Sequence, residues 1–415
     1  MSGLTRRAVL RGMVASAAAW QIPLFVRPAR AGSGVGPGSN PLLVMIFLRG
    51  GADGLALLPP LGDGSLERTR SGLLTNPSLR LEGPGNGFGL HPSLAALAPL
   101  VQDGRLAAVH AMGLPDPIRS HFEAQDACER AGARMGSRTE GWLARAVAAA
   151  PGEPTAFRVV AAATQRPRSL VGDPRALAFE RVEDLVLPAH SPAAERALEA
   201  LHAERPASDP GARIALAGRE ALEAVRALGA HSSAALPDAD SFPHSPLGQR
   251  LATIARLARA DLGLVAAAAD AEGWDTHIGQ GATEGRFARA AQDLGTSVAA
   301  LFRSLESRAS DLLVVAVSEF GRTVAMNGSG GTDHGRGGAA LLLGAPVRGG
   351  RVAGAWPGTR VEELEDRRDL RVVNDLREVL AEAARHLGAR DLASVFPGFF
   401  PRGLGLLRAS SSSLA

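Results

Sequence analysis

The feature that most constrains the fold is a continuous apolar run, Leu42–Leu48, stopped abruptly by Arg49-Gly50-Gly51. A strand with one wet face alternates polar and apolar residues. A run without alternation therefore predicts a strand buried on both faces, as in a parallel sheet covered by helices. Similar runs recur at Arg105–His110, Phe157–Ala162, Leu262–Ala268, Leu312–Val317 and Ala339–Leu343. Helical segments separate them: Ser93–Gln102, Ser120–Ala131, Trp142–Ala149, Leu247–Ala260, Gly285–Ser307 and Asn374–Leu387. Strands alternating with helices predict an α/β domain over residues 41–405, with a mostly parallel central sheet sandwiched by helices. Residues 191–246 differ, being rich in Ala, Arg and Glu with Pro-rich breaks. They read as a helical insertion, with helices at Pro192–Ala203 and Ala212–Leu228, packed on the sheet or over its edge. Residues 406–415 read as a disordered tail.

The N-terminus reads as an export signal. Arg6-Arg7 opens a basic region, Gly12–Val26 carries no charge, and Ala29-Arg30-Ala31 supplies a small-x-small cleavage pattern. Fifteen uncharged residues fall short of the ~20 that span a bilayer. The reading is a twin-arginine signal over residues 1–31 and a flexible leader over 32–40. It predicts export by the twin-arginine machinery to the periplasm or beyond, without a stable transmembrane segment. Cargo of that route crosses already folded with its cofactor loaded, which points to a bound metal. Removing the signal takes away five arginines and no acid. That leaves 40 Arg against 42 Asp and Glu, a net charge of −2. With no basic run and no interleaved aromatics, nucleic acid is not an expected partner.

Absences narrow the chemistry. The chain has no lysine, which excludes a Walker A loop, a pyridoxal Schiff base and a lysine general base. No Gly-x-Ser-x-Gly elbow and no Cys/Ser-x-Pro-x-Arg pattern occur, which argues against an α/β-hydrolase and a formylglycine sulfatase. The single cysteine, Cys128, cannot form an internal disulfide.

In an open parallel sheet, ligands bind beyond the carboxyl ends of the strands. The first strand runs into Gly50-Gly51-Ala52-Asp53-Gly54, where Asp53 reads either as a metal ligand or as a turn Asp bonding its own backbone. Asp275 and His277, two apart in a turn, suit Zn²⁺ or Mn²⁺, or else hydrogen-bond to each other. Glu319 and Arg322 follow another apolar strand, where each needs a partner. Asp333, His334 and Arg336 sit among glycines and look like a place for an oxyanion held by metal. Ser120 suits a helix N-cap, and equally a nucleophile at the positive end of a helix dipole, with Arg119 and His121 in support.

Taken together, these segments resemble the exported proteins grouped as domain of unknown function 1501, within the alkaline phosphatase-like superfamily. The resemblance rests on Phe47-Leu48-Arg49-Gly50-Gly51-Ala52-Asp53-Gly54, Arg119-Ser120-His121-Phe122, Gly141-Trp142-Leu143-Ala144-Arg145, Gly273-Trp274-Asp275-Thr276-His277, Ser318-Glu319-Phe320-Gly321-Arg322-Thr323 and Gly331-Thr332-Asp333-His334-Gly335, within roughly Pro41 to Arg402. It implies an alkaline phosphatase-like, two-metal core of the phosphatase and sulfatase kind. Asp275, His277 and His334 would hold the first ion, Asp53 would ligate the second, and Ser120 would be the nucleophile. Two departures stand out. The superfamily has Asp-x-x-x-His where this chain has Asp275-Thr276-His277, and adjacent Asp-His where it has Glu319-Phe320. The second site is thus one ligand short, with Glu319 or Asp333 to compensate.

The expected function is a metal-dependent hydrolase of phosphate or sulfate esters, with one or two divalent ions, Zn²⁺ or Mn²⁺. Ser120 or a metal-bound water would attack, and Arg119, Arg322 or Arg336 would clamp a small anionic ester. The alternative is a non-catalytic protein on the same fold that binds metal or another ligand, such as an envelope glycan.

Overall fold

The computed structural model describes residues 41–77, 79–132, 139–185, 192–206, 208–230 and 241–408. The expected signal and leader (1–40), and 409–415 of the expected tail, lie outside the described residues. No helix among the described residues is long and apolar enough to cross a membrane.

The chain is an α/β protein with a mostly parallel, mixed central sheet flanked by helices. In chain order its strands are β1 (Leu42–Leu48), β4 (Leu106–Gly113), β5 (Val159–Ala162), β6 (Leu177–Phe179), β7 (Ala266–Ala271), β8 (Leu312–Val317), β9 (Gly338–Leu343), β10 (Arg351–Ala353) and β11 (Asn374–Asp375). A separate antiparallel hairpin is formed by β2 (Leu79–Leu81) and β3 (Phe88–Leu90). The sheet order is β10-β4-β9-β8-β1-β7-β5-β6, with β11 beside β4.

The central strand β1 lies parallel to β7 and β8. Its side chains split by parity: Leu42, Val44, Ile46 and Leu48 enter the core on one face, Leu43 and Met45 the core on the other. Both faces are dry, which is why the run carries no polar alternation. Pro246–Arg259 and Arg286–Ser304 cover the first face through Leu251, Ile254, Leu294 and Val298. Trp142–Ala149 and Leu376–His386 cover the second through Trp142, Leu143, Val379 and Leu380. Burying side chains of this size stabilises by roughly 1.5–3 kcal/mol each.

Two strands depart from expectation. β7 begins at Ala266 and not at Leu262, because Asp261 and Gly263 adopt positive φ in a turn first. Ala266–Ala269 would favour a helix by propensity, but parallel pairing with β1 and β5 holds the four alanines extended. β9 runs antiparallel to both β8 and β4. The chain returns from β8 without a crossover helix, and only such a crossover yields a parallel neighbour.

Helices occupy Pro192–Leu201 and Ala212–Ala230. The second lies by the turn that follows edge strand β6. There Ala224 joins the core, and Arg175 Nε reaches Glu220 Oε1 at 3.0 Å.

Candidate metal centre

Because β1, β4, β7 and β8 run in one direction, their carboxyl ends share one rim of the sheet. The reversed β9 starts at that same rim, so the loop before it, carrying Asp333 and His334, arrives there too. A bulge at the end of β4, with Ala111 at φ 51°, redirects the chain toward the helix His121–Glu129. Residues far apart in sequence therefore meet.

Three imidazoles face one carboxylate oxygen. Asp275 Oδ1 lies 3.2 Å from His277 Nε2, 3.6 Å from His334 Nε2 and 3.7 Å from His121 Nε2. In each ring the other nitrogen is tied to an acceptor. His121 Nδ1 is 2.8 Å from Glu319 Oε1, His277 Nδ1 2.9 Å from Asp333 Oδ1, and His334 Nδ1 2.8 Å from the Arg119 carbonyl. Carboxylates and carbonyls only accept, so each Nδ1 carries a proton and each Nε2 is the nitrogen turned toward Asp275. Two of these nitrogens, on His277 and His334, lie 2.9 Å apart. That contact is repulsive unless a proton or a cation lies between them.

The donor set fits a divalent ion. Zn–N and Zn–O bonds of about 2.0–2.1 Å at tetrahedral angles set neighbouring ligand atoms about 3.3 Å apart, close to the spacings found here. His121 Nε2 is buried without a hydrogen-bond partner. Ligand atoms of His121, Asp275 and His334 all lie within 4.8 Å of one another. Carboxylates behind ligating imidazoles, as Glu319 and Asp333 are here, fix the tautomer and raise ligand basicity.

Burial works against charge on Glu319, but hydrogen bonds from His121, Gln125 and Ser318 outweigh it and hold the carboxyl at about 2. Its hydrogen bond to His121 raises that imidazole's pKa. Burial lowers His334, favouring the neutral form that binds metal. Asp275 is pushed up by burial, yet its bond to Arg322 leaves it lowered overall. Asp333 is lowered by its bond to His277.

The family profile described as protein of unknown function (DUF1501) matches residues 83–389. The chain belongs to that family. No curated protein matches it. The DUF1501 match takes in all three histidines, Asp275, Glu319 and Asp333.

Several residues expected at the site have other employment in this DUF1501 chain. Asp53 is fully buried; its carboxylate accepts Arg70 Nη1 at 2.9 Å on each oxygen, Gln280 Nε2 at 2.7 Å, and the backbone N–H groups of Leu55 and Ala56. It caps the turn Gly54–Leu57, the turn-Asp alternative, and stands outside the cluster. Glu319 and Asp333, expected as ligands, stand behind His121 and His277. His121, expected in support, points Nε2 at Asp275.

Nor do the three arginines offer themselves as clamps. Arg322 is buried and donates to the carbonyls of Gly50, Gly51 and Thr332 and to Asp275 Oδ1. Arg336 holds Glu365 Oε1 at 3.0 Å, and the carbonyls of Pro115 and Asp116. Arg119 bonds Asp369 Oδ2 at 2.6 Å. Ser120 sits at the N-cap of His121–Glu129 but makes no side-chain cap bond, and it is exposed.

Gln125, Gln280, Arg70 and Asn327 were not singled out in the sequence, though each supports the site or its neighbour. Gln125 donates to Glu319 Oε1 and Asn327 to Asp333 Oδ1. Gln280 ties Asp53 to the hydroxyls of Thr276 and Thr332. Polar residues of ordinary type at unremarkable spacings carry no signal until the fold brings them together.

Proposed function

We propose that this protein is an exported hydrolase of phosphate or sulfate esters built around one divalent metal ion, Zn²⁺ or Mn²⁺. His121, His334 and Asp275 hold the ion, with His277 as the fourth donor. The observation that carries this reading is the set of Nδ1 hydrogen bonds that turns three Nε2 atoms onto one oxygen of Asp275. An ion held there supplies Lewis-acid stabilisation of developing negative charge and eases deprotonation of a nearby hydroxyl or water. Asp275 and the three imidazoles fix its position. Ser120, exposed and free of the cap, is the proposed nucleophile at the positive end of its helix. One ion suits the residues better than two, since Asp53 and Glu319 spend their oxygens inside the protein. The Arg6-Arg7 signal supports export to the periplasm or beyond, and the fold supports an alkaline phosphatase-like core.

The test is metal analysis of the folded protein together with turnover of an aryl phosphate and an aryl sulfate. One equivalent of metal, and turnover that falls at least 100-fold in Ser120→Ala and in His334→Ala, is expected. Turnover surviving both changes would remove the hydrolase. The commitment of Arg119, Arg322 and Arg336 to internal partners favours a second reading, a metal-holding envelope protein that binds a glycan without reacting. One equivalent of metal with no turnover on either ester supports it.

A further inference from the structure

An open pocket of about 830 Å³ is lined by Asp275 and, from the helix Arg286–Ser304, by Arg286 and Arg289. Three residues apart, the two guanidiniums share one helix face. Neither makes a side-chain hydrogen bond or ion pair among the described residues. The other acids that line the pocket have hydrogen-bond partners of their own. Glu272 is held by Arg250 at 2.8 Å, and Asp293 by the hydroxyls of Ser245 and Ser297. Hydroxyls leave the Asp293 charge in place, so two arginines without partners face the pocket beside one carboxylate that has no cationic partner, a net positive balance.

Their position has a cost. They stand at the start of a helix with no acidic residue in its first turn, where the dipole disfavours cations. The helix is also fixed to the histidine loop. The backbone carbonyl of buried Gln280 accepts Phe287 N–H, while the Gln280 N–H reaches the Gly330 carbonyl. The arginine face is thus held at a set distance from His277.

We propose that Arg286 and Arg289 form a subsite for a second anionic group, so that the ligand is an elongated molecule with negative charge at both ends. One end meets the metal centre and the other, a carboxylate, sulfate or phosphate, meets the two arginines. This rests on the metal reading above. It also supplies the cationic contacts that Arg119, Arg322 and Arg336, engaged elsewhere, do not.

The test is calorimetric binding to the metal-loaded full chain. Linear dicarboxylates from malonate to suberate are each compared with the monocarboxylate of equal carbon number. At least one dicarboxylate should bind about tenfold or more tightly than its partner, and Arg286→Ala/Arg289→Ala should abolish that preference. The double variant should unfold no earlier than the parent, because neither arginine has an internal partner. No preference at any length, or a preference that survives the double variant, overturns the subsite. Turnover is not read, so an inert protein still reports. Metal content measured alongside separates the two ideas. Metal bound without a preference sinks the subsite alone, whereas a chain that binds no metal sinks the metal centre and the two-ended ligand with it.

Discussion

At the scale of single residues, the division between ligand and support is set by which nitrogen of each histidine is already occupied. Glu319→Gln keeps the size of the side chain but removes its charge behind His121. Metal affinity measured by competition with a chelator should fall about 10–100-fold, with the fold retained by circular dichroism. Asp53→Asn should do the reverse. It leaves Arg70 buried without its counter-charge, which costs roughly 3 kcal/mol or more in denaturant unfolding, while metal content per folded molecule stays at the parent value. Sequence reading found Asp275, His277 and His334 because acids and imidazoles placed just after apolar strands are costly to bury without a purpose. It could not assign Glu319 or Asp333 to a supporting place, or His121 to the front, since a ring's orientation depends on partners such as the Arg119 carbonyl that leave no trace in the sequence.

At the scale of elements, the cluster depends on close backbone approach. A Cβ on Gly331 would lie 2.3 Å from the Thr276 carbonyl oxygen and 2.4 Å from that of His277. Gly331→Ala should therefore push the His334 loop from the His277 loop and drop bound metal well below one equivalent, while the sheet survives. The long strands were legible because β1 and β8 are apolar at every position. The alanine strand β7 was misplaced by four residues, since its extended form comes from its neighbours and not from its own propensity. The hairpin β2–β3 and edge strands β6, β10 and β11 were missed, being only two or three residues long, too short for any periodicity to register. The reversal of β9 is equally invisible, because direction belongs to the connection and not to the strand.

At the scale of the whole molecule, the proposed metal-facing donors come from three stretches, around His121, Asp275-His277 and His334, that only the fold brings together. Such a site is absent in the unfolded chain, so binding stabilises by mass action, about 2.7 kcal/mol at a free metal concentration 100 times Kd. A chelator should lower the melting temperature by about 5 °C, and added Zn²⁺ or Mn²⁺ should restore it. Acid should act elsewhere. Burial holds His110 at about 4, well below its unfolded value of 6.5, so the unfolded chain takes up the proton first. Its contribution is present above pH 6.5 and lost as pH falls toward 4, up to roughly 3 kcal/mol. Denaturant midpoints from pH 7 to pH 4.5 should fall more steeply for the parent than for His110→Phe. The reversed strand β9 has one more consequence. Among the described residues it is the one strand of the central sheet that pairs the β4, β10 and β11 wing with the remaining strands, and the loop before it carries His334. Mechanical pulling that peels it away would release the ion and split the molecule in a single step, so the two losses should share one rupture force.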